Sequence, residues 1–459
     1  MANPNIRSTL AAQRRFFQSG ATRDLRFRIK MLESLSTSIR RMELKINDAL
    51  YRDFHKPPFE TYVTEIGLVV KEIRNVVRRL PRWSRPERVP TPVVHFPARS
   101  FIYREPYGTV LIVSPWNYPL LLSLSPLIGA IAAGNTVMLK IAPAAAHTAR
   151  LLADLVGSVF PKEYVAVFQG HRDVNRALLK ERYDYLFFTG GEKVGRYVMQ
   201  AAARHLTPLT LELGGKCPVM VHRDADLRHA ARRIAWGKFM NGGQTCVAPD
   251  YLLAHQDIAA RVLEHLSAAI RSFYGERPQT SNDYCRIVSD HHFLRLKRLL
   301  ASGKIHSGGQ NDRKERFIAP TLLTDVSFDD PVMQEEIFGP ILPVITYRDV
   351  DQVIGWVRSR PEPLAFYLFT QDNAVKNRLW RELAFGGGCL NDTVMQLANP
   401  HLAFGGVGRS GLGRYHGRAG YETFTYAKSL FDKSTRIDLP FRYPPYTHRA
   451  LSLVKKFLR

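Results

Sequence analysis

Covalent chemistry at a carbonyl needs a nucleophile, a base and donors for the charge that develops on oxygen, and two stretches of this chain supply such groups. Glu212 stands just before Gly214-Gly215 in LELGGKCPVMV (211–221), and Cys246 follows Gly242-Gly243-Gln244-Thr245 in WGKFMNGGQTCVAPDYLLA (236–254). A thiolate can attack the carbon, a carboxylate can take the thiol proton or activate water, and glycines let backbone N–H groups approach an oxyanion. Taken alone the pair leaves two readings open, because a cysteine in a glycine-rich stretch also serves as a small buried hydrophobe.

Those residues must be held by regular elements, and the surrounding pattern supplies them. LELGG opens on an apolar run suited to a buried strand, and Tyr251 to Ala254 forms a second beyond Cys246. Upstream, Val110–Val113, TVMLKIAP (136–143), Tyr164–Phe168 and Tyr185–Phe188 read as short strands separated by helix-length connections, which predicts a parallel α/β sheet with functional loops beyond its carboxyl ends. One such end carries Gly190 and Gly191 and then Gly195, ahead of residues suited to a helix. That turn could present free N–H groups to a pyrophosphate, although it lacks the G-x-G-x-x-G spacing and a ligand-free turn is equally compatible. A second α/β section is expected from about 211 to 393, with helices near 258–273 and 291–300 and a strand at 341–347 after Glu335-Glu336.

The lead-in is helical. Leu25, Ile29, Leu32, Leu35, Ile39, Met42, Ile46 and Leu50 recur at spacings of three or four, as do Val69, Ile73, Val76 and Val77, and Pro81 is expected to end the last of these helices,. A proline-punctuated segment follows. The 459 residues, 45% hydrophobic, are too many for one compact core and point to two or three domains,. Four scattered cysteines make neither a disulfide framework nor a zinc site, which points to a reducing, cytoplasmic compartment,. His205, His222 and His416 form no ligand spacing, so no metal is expected,. The net charge of +24 suits an anionic partner,, but the arginines are dispersed and nucleic-acid binding is not expected. The longest apolar run, 118–133, is broken by Pro119, Pro126 and Gly129 and reads as a buried helix rather than a membrane span,.

Five ordered blocks carry a resemblance over nearly the whole chain: PWNYP (115–119), LELGGK (211–216), GGQTCVAPDY (242–251), EEIFGP (335–340) and FGGVGRSGLGRYHG (404–417). In these the chain resembles the NAD(P)-dependent aldehyde dehydrogenase superfamily, above all its class 3, fatty-aldehyde and coniferyl-aldehyde group. The resemblance implies an α/β fold of three parts: a Rossmann-like coenzyme domain (1–81 and 101–210, with the helical N-terminal region), an α/β catalytic domain (211–397), and a small β arm for dimerisation (82–100 and 418–432), followed by an extension (433–459). It further implies Cys246 as nucleophile, Glu212 as general base, and Asn117 with the Cys246 N–H as the oxyanion site. On the coenzyme side it implies Trp116, Lys140 at the adenosine ribose, Gly190, Gly191 and Gly195 about the pyrophosphate, and Glu336 and Phe338 at the nicotinamide end.

Departures from the family pattern bear on specificity. Lys140 is followed by Ile141-Ala142-Pro143, without the carboxylate that turns away a 2′-phosphate in many relatives, which favours NADP use,. Gly191-Glu192 replaces the common serine-threonine and brings a negative charge that opposes a 2′-phosphate if it points inward. NAD or NADP is therefore expected, with NAD favoured by family habit. Cys217 stands where serine is common and reads as a packed small residue or a redox-sensitive thiol. The terminus THRALSLVKKFLR (447–459) reads either as a docked end or as a basic amphipathic helix resting on the anionic inner face of a membrane,. The expected enzyme is a homodimer oxidising medium or long-chain aliphatic or aromatic aldehydes, with a coniferyl-type aromatic aldehyde dehydrogenase as the alternative and a noncatalytic α/β binding or scaffold protein as a more remote one.

Overall fold

The computed structural model describes residues 5–457. The lead-in forms the helices Ile6–Gln18, Leu25–Arg41, Glu43–Phe54 and Gly67–Trp83. Leu32, Leu35, Ile39, Ile46 and Leu50 are fully buried, because residues three and four apart share one helix face. The last helix departs from expectation: it carries Pro81 inside its final turn and ends at Trp83. A proline so near the end forfeits a single intrahelical bond, and buried Leu80 together with Trp83, packed on Tyr421, retains the turn. Ahead of it, the short helix Pro58–Thr61 runs into a π-helical turn, Tyr62–Ile66.

The first sheet has six strands in the order Gly411–Leu412, Leu209–Glu212, Tyr185–Thr189, Thr109–Val113, Thr136–Lys140, Val165–Phe168. All pair in parallel except the two-residue edge strand. Alternate side chains divide between two cores: Val110 and Ile112 share one with the helices Leu25–Arg41, Glu43–Phe54 and Gly67–Trp83, whereas Leu111 and Val113 share the other with Leu10 of the first helix and with Glu192–Ala203, as a pleated strand buried on both faces requires. The helix Pro119–Ala133 is buried on every side but at Leu121. Its position between this sheet and Gly67–Trp83 explains why it is apolar all round,. Among the described residues no helix is long and apolar enough to cross a membrane.

The second sheet has seven strands, ordered Lys304–Ser307, Thr321–Thr324, Ile341–Tyr347, Tyr251–His255, Pro218–Val221, Ala365–Phe369, Gly387–Leu390, and has its own cores. Only the first pair is antiparallel. A third, antiparallel sheet joins Glu87–Val89, Ala98–Pro106 and Thr425–Lys433, so its strands run past the carboxyl end of each expected arm piece, and 417–423 is helical. Thr425–Lys433 is its exposed edge.

Candidate active site

Cys246 lies in the loop between the helix Leu227–Phe239 and the strand Tyr251–His255. The chain reverses there through positive φ at Asn241, Gly242 and Gly243. At Gly243 a side chain is excluded, since a Cβ would fall 2.3 Å from Gly339 O. Buried Gln244 fixes the loop from both ends of its amide: Nε2 donates to Asn241 O (2.9 Å) and Arg286 O (3.1 Å), and Oε1 accepts from Val288 N (2.9 Å). Tyr367 Oη donates to Val247 O at 2.7 Å. The thiol is left half-buried, and burial pushes it up to about 12, helped by the negative charges of Glu336 and Glu212,. Cys217 is fully buried, its thiol 3.4 Å from Cys246 O and accepting from Ala365 N at 3.2 Å, which is packing with two polar contacts.

Glu212 closes its strand, opposite Thr189 on one side and Gly411 on the other. It is 2% exposed, and neither carboxylate oxygen has a hydrogen-bond partner among the described residues. Burial therefore holds its carboxyl well above the usual range, with Arg414 partly opposing. An unpartnered buried carboxyl costs stability, and such a cost is typical of a group retained for chemistry. Tyr415, buried, feels the charges of both Glu212 and Cys246; with Phe404 and His416 it builds an aromatic wall, ring centroids 4.2 to 5.7 Å apart.

Asn117 comes from the same six-stranded sheet as Glu212, in the turn between its inner strand Thr109–Val113 and Pro119–Ala133. Its Nδ2 donates to Gln244 O at 3.0 Å and its own O accepts from Asn241 Nδ2 at 2.8 Å. One N–H of the amide is thereby used to set its orientation, and the second remains for a ligand.

Around this centre lie the residues expected on the coenzyme side. Lys140 ends its strand almost fully buried, its ammonium lowered to about 8 by burial. The helix Glu192–Ala203 starts at Gly191 with no side-chain cap. Val194 and Gly195 donate back to Gly191 O, so the Glu192 and Lys193 N–H groups are unspent among the described residues, the arrangement a phosphate finds at a helix start. Gly195 allows close packing on Leu213, 2.6 Å from its would-be Cβ. Opposite, Glu336 lies on Gly214, where a Cβ would fall 2.0 Å from Oε2, and its carboxyl is raised to about 8 by burial and by Asp250. Phe338, at φ +49, sets its ring edge-on to Trp116 at 5.3 Å. The set fits a dinucleotide: unspent donors, a buried cation and a glycine-floored carboxylate.

Several participants escape a linear reading. Asp250 accepts from Ile337 N at 2.9 Å and pairs with Lys216, and Arg295 donates to Glu336 O and Ile337 O, so these three hold the EEIFGP loop. His292 lies 4.8 Å from Trp116 with the ring planes tilted at 43°, and is lowered to about 4 by burial. Asp250 sits inside a motif block, but nothing in the sequence singles out Arg295 or His292. Glu192 does not point into the turn unpaired: it binds both Arg196 and Arg409, at 2.6 and 3.0 Å.

Comparison with known proteins gives the family. The aldehyde dehydrogenase family profile matches residues 2–430. The chain is 46% identical over 446 residues to the 4,4'-diaponeurosporen-aldehyde dehydrogenase of Staphylococcus aureus, covering 97% of each chain. It is 43% identical over 443 residues to the dimeric NADP-preferring aldehyde dehydrogenase of Rattus norvegicus, covering 96% of this chain and 98% of that one. A structure of the substrate-bound state of Staphylococcus aureus AldH superposes with a TM-score of 0.98 at 45% identity, over 99% of this chain and all of the other. The chain belongs to the aldehyde dehydrogenase family, whose members oxidise an aldehyde to its carboxylic acid with NAD(P).

Proposed function

We propose that Cys246 is the nucleophile of this oxidation, that Asn117 Nδ2 and the Cys246 N–H receive the developing oxyanion, and that Glu212 activates the water that releases the acid. The observation that carries this reading is the convergence of a half-buried thiol, a buried carboxyl with both oxygens unpartnered, and an amide with one N–H to spare. Attack of the thiolate forms a C–S bond and moves the carbonyl electron pair onto oxygen, where the two donors act because charge appears there. The nicotinamide, when bound, supplies the acceptor for the hydride whose loss leaves a thioester on Cys246. Glu212 then takes a proton from water, the hydroxide adds to the thioester carbon, and the sulfur leaves. Lys140, Gly190, Gly191, Gly195 and the first N–H groups of Glu192–Ala203 are assigned to the adenosine and pyrophosphate side, and Trp116, Glu336 and Phe338 to the nicotinamide side.

The aromatic wall of Phe404, Tyr415 and His416 supports a medium or long-chain aliphatic or aromatic aldehyde, and the aldehyde named for the S. aureus relative points the same way. A steady-state panel of short and long aliphatic, cinnamyl-type and phosphorylated aldehydes, run with NAD and with NADP, tests the reading. Highest kcat/KM on a phosphorylated or short polar aldehyde would overturn the substrate assignment.

Both coenzymes are assigned to the site. The Lys140-Ile141-Ala142-Pro143 tract lacks a repelling carboxylate, and Glu192 has its charge matched by Arg196 and Arg409. Arg409→Gln releases half of that pairing, so KM for NADP is expected to rise about fivefold more than KM for NAD, a margin typical of one added like charge near an exposed site. Equal changes in the two would remove Glu192 from coenzyme choice.

The exposed edge strand Thr425–Lys433, with Tyr426, Leu430 and Phe431 about half exposed, supports a homodimer through this arm,; sedimentation as monomer at micromolar concentration would refute it. The helix His448–Phe457 presents Leu451 and Leu453 beside Lys455 and Lys456, a pattern suited to peripheral contact with an anionic bilayer, although Leu458 and Arg459 lie outside the described residues. Unchanged binding to anionic vesicles after deletion of 447–459 would exclude that contact.

A further inference from the structure

The oxyanion site is divided between two separately cored halves of the molecule, yet its donors must hold position to a fraction of an ångström. Directly behind it lies a buried polar cluster that the reaction above does not use. Lys56 and Glu65, both 0% exposed, form an ion pair at 2.9 Å. Glu65 Oε2 also accepts from Leu120 N (2.8 Å) and Leu121 N (3.3 Å), the first turn of Pro119–Ala133, immediately after Asn117. The Lys56 ammonium lies 4.3 Å over the ring of Tyr118, and the Tyr118 hydroxyl hydrogen-bonds Thr245 Oγ1 at 2.7 Å, one residue before Cys246. From the short helix Pro58–Thr61, which runs into the π-helical turn that carries Glu65, Glu60 Oε1 accepts from Asn241 N at 2.8 Å, and Asn241 is the residue whose side chain donates to Asn117 O and Gln244 O. π-Helical turns recur at functional sites because they re-aim side chains that an α-helix would stack.

From this geometry we infer that Lys56, Glu60 and Glu65 are positioning residues for the oxyanion site: Glu65 fixes the Asn117 turn through the helix start, Glu60 fixes the Cys246 loop through Asn241, and Lys56 with Tyr118 ties the two together. A buried ion pair by itself adds little to stability over an apolar pair. What the cluster does here is hold two N–H groups on Glu65, a third on Glu60 and the Tyr118 hydroxyl around the junction of the two halves. The inference rests on the assignment of Asn117 as an oxyanion donor, and its test separates the two.

The decisive measurement is a cycle of kcat values with Asn117→Ala, alongside KM and Kd for NAD. Glu65→Ala is expected to lower kcat about 30-fold to 100-fold, the cost of misplacing one donor, with NAD affinity within about twofold of wild type. In the Asn117→Ala background the same change should cost less than about threefold, because the donor it places is already gone. The apolar pair Lys56→Met with Glu65→Leu removes both charges together and retains the fold; Tyr118→Phe breaks the hydroxyl tie alone, with an expected loss of about fivefold, again absorbed by Asn117→Ala. Losses that multiply in the cycle, an effect confined to KM, or wild-type kcat in these variants would overturn the positioning role. Wild-type kcat in Asn117→Ala itself would instead overturn the oxyanion assignment on which it rests.

Discussion

Cys246→Ala is expected to lower aldehyde oxidation by on the order of 10⁵-fold, the scale of losing a covalent nucleophile, with fold and coenzyme affinity intact. The side chain is half-buried, and truncation leaves the loop tied through Gln244 and Tyr367. The stability change should stay within about 1 kcal/mol. Acid formation at the wild-type rate in this variant would refute the assignment. The wild type should also show a rate that rises with pH: burial pushes the thiol up to about 12, so the reactive thiolate gains population throughout the neutral and alkaline range. A rate falling from pH 7 to pH 9 in the stable enzyme would contradict that environment.

Glu212→Gln should separate the two halves of the reaction. If Glu212 activates water, the variant still forms the thioester and releases about one reduced coenzyme per site in a burst, after which turnover falls about 10³-fold. A loss of the burst itself would move Glu212 to deprotonation of the thiol. The same substitution should raise stability by about 1–3 kcal/mol at neutral pH, since it removes an acid that is buried without partners,. The sign with pH follows from burial, which raises this carboxyl far above its ordinary 4.5. Above that value the unfolded chain has released a proton that the folded chain keeps, so the wild type loses stability as pH rises through the window and the variant does not. The melting-temperature advantage of Glu212→Gln should therefore grow as pH rises above about 5,; an advantage that shrinks would mean the carboxyl has an unseen partner.

Much of this was legible in the sequence wherever the signal is local. Strand alternation and glycine turns place Thr109–Val113, Ile341–Tyr347 and the Gly190-Gly191 turn close to where they are found, because each depends on residues within one or two turns of chain. That Cys246, Glu212 and Asn117 share one site was implied by the family resemblance of the motif blocks rather than by any local pattern. What escaped depends on contacts across the chain. Glu60 and Glu65 lie between the two periodic helical stretches, where no motif marks them, and their role exists only because Asn241 and Leu120 arrive from elsewhere. Glu192 carried a warning sign for coenzyme binding until Arg409, 217 positions later, was found beside it. Pro81 misled in the opposite way: a local rule for ending helices gave way to packing of Leu80 and Trp83.

Asn117 and Glu212 grow from the six-stranded sheet, whereas Cys246 grows from the seven-stranded one, and each sheet is sealed by its own apolar interior. On warming, a slight hinge opening along the seam would scatter the reacting groups while both interiors survive. Catalytic power should accordingly fade several degrees before circular dichroism registers any melting, and cooling soon afterwards should restore it in full.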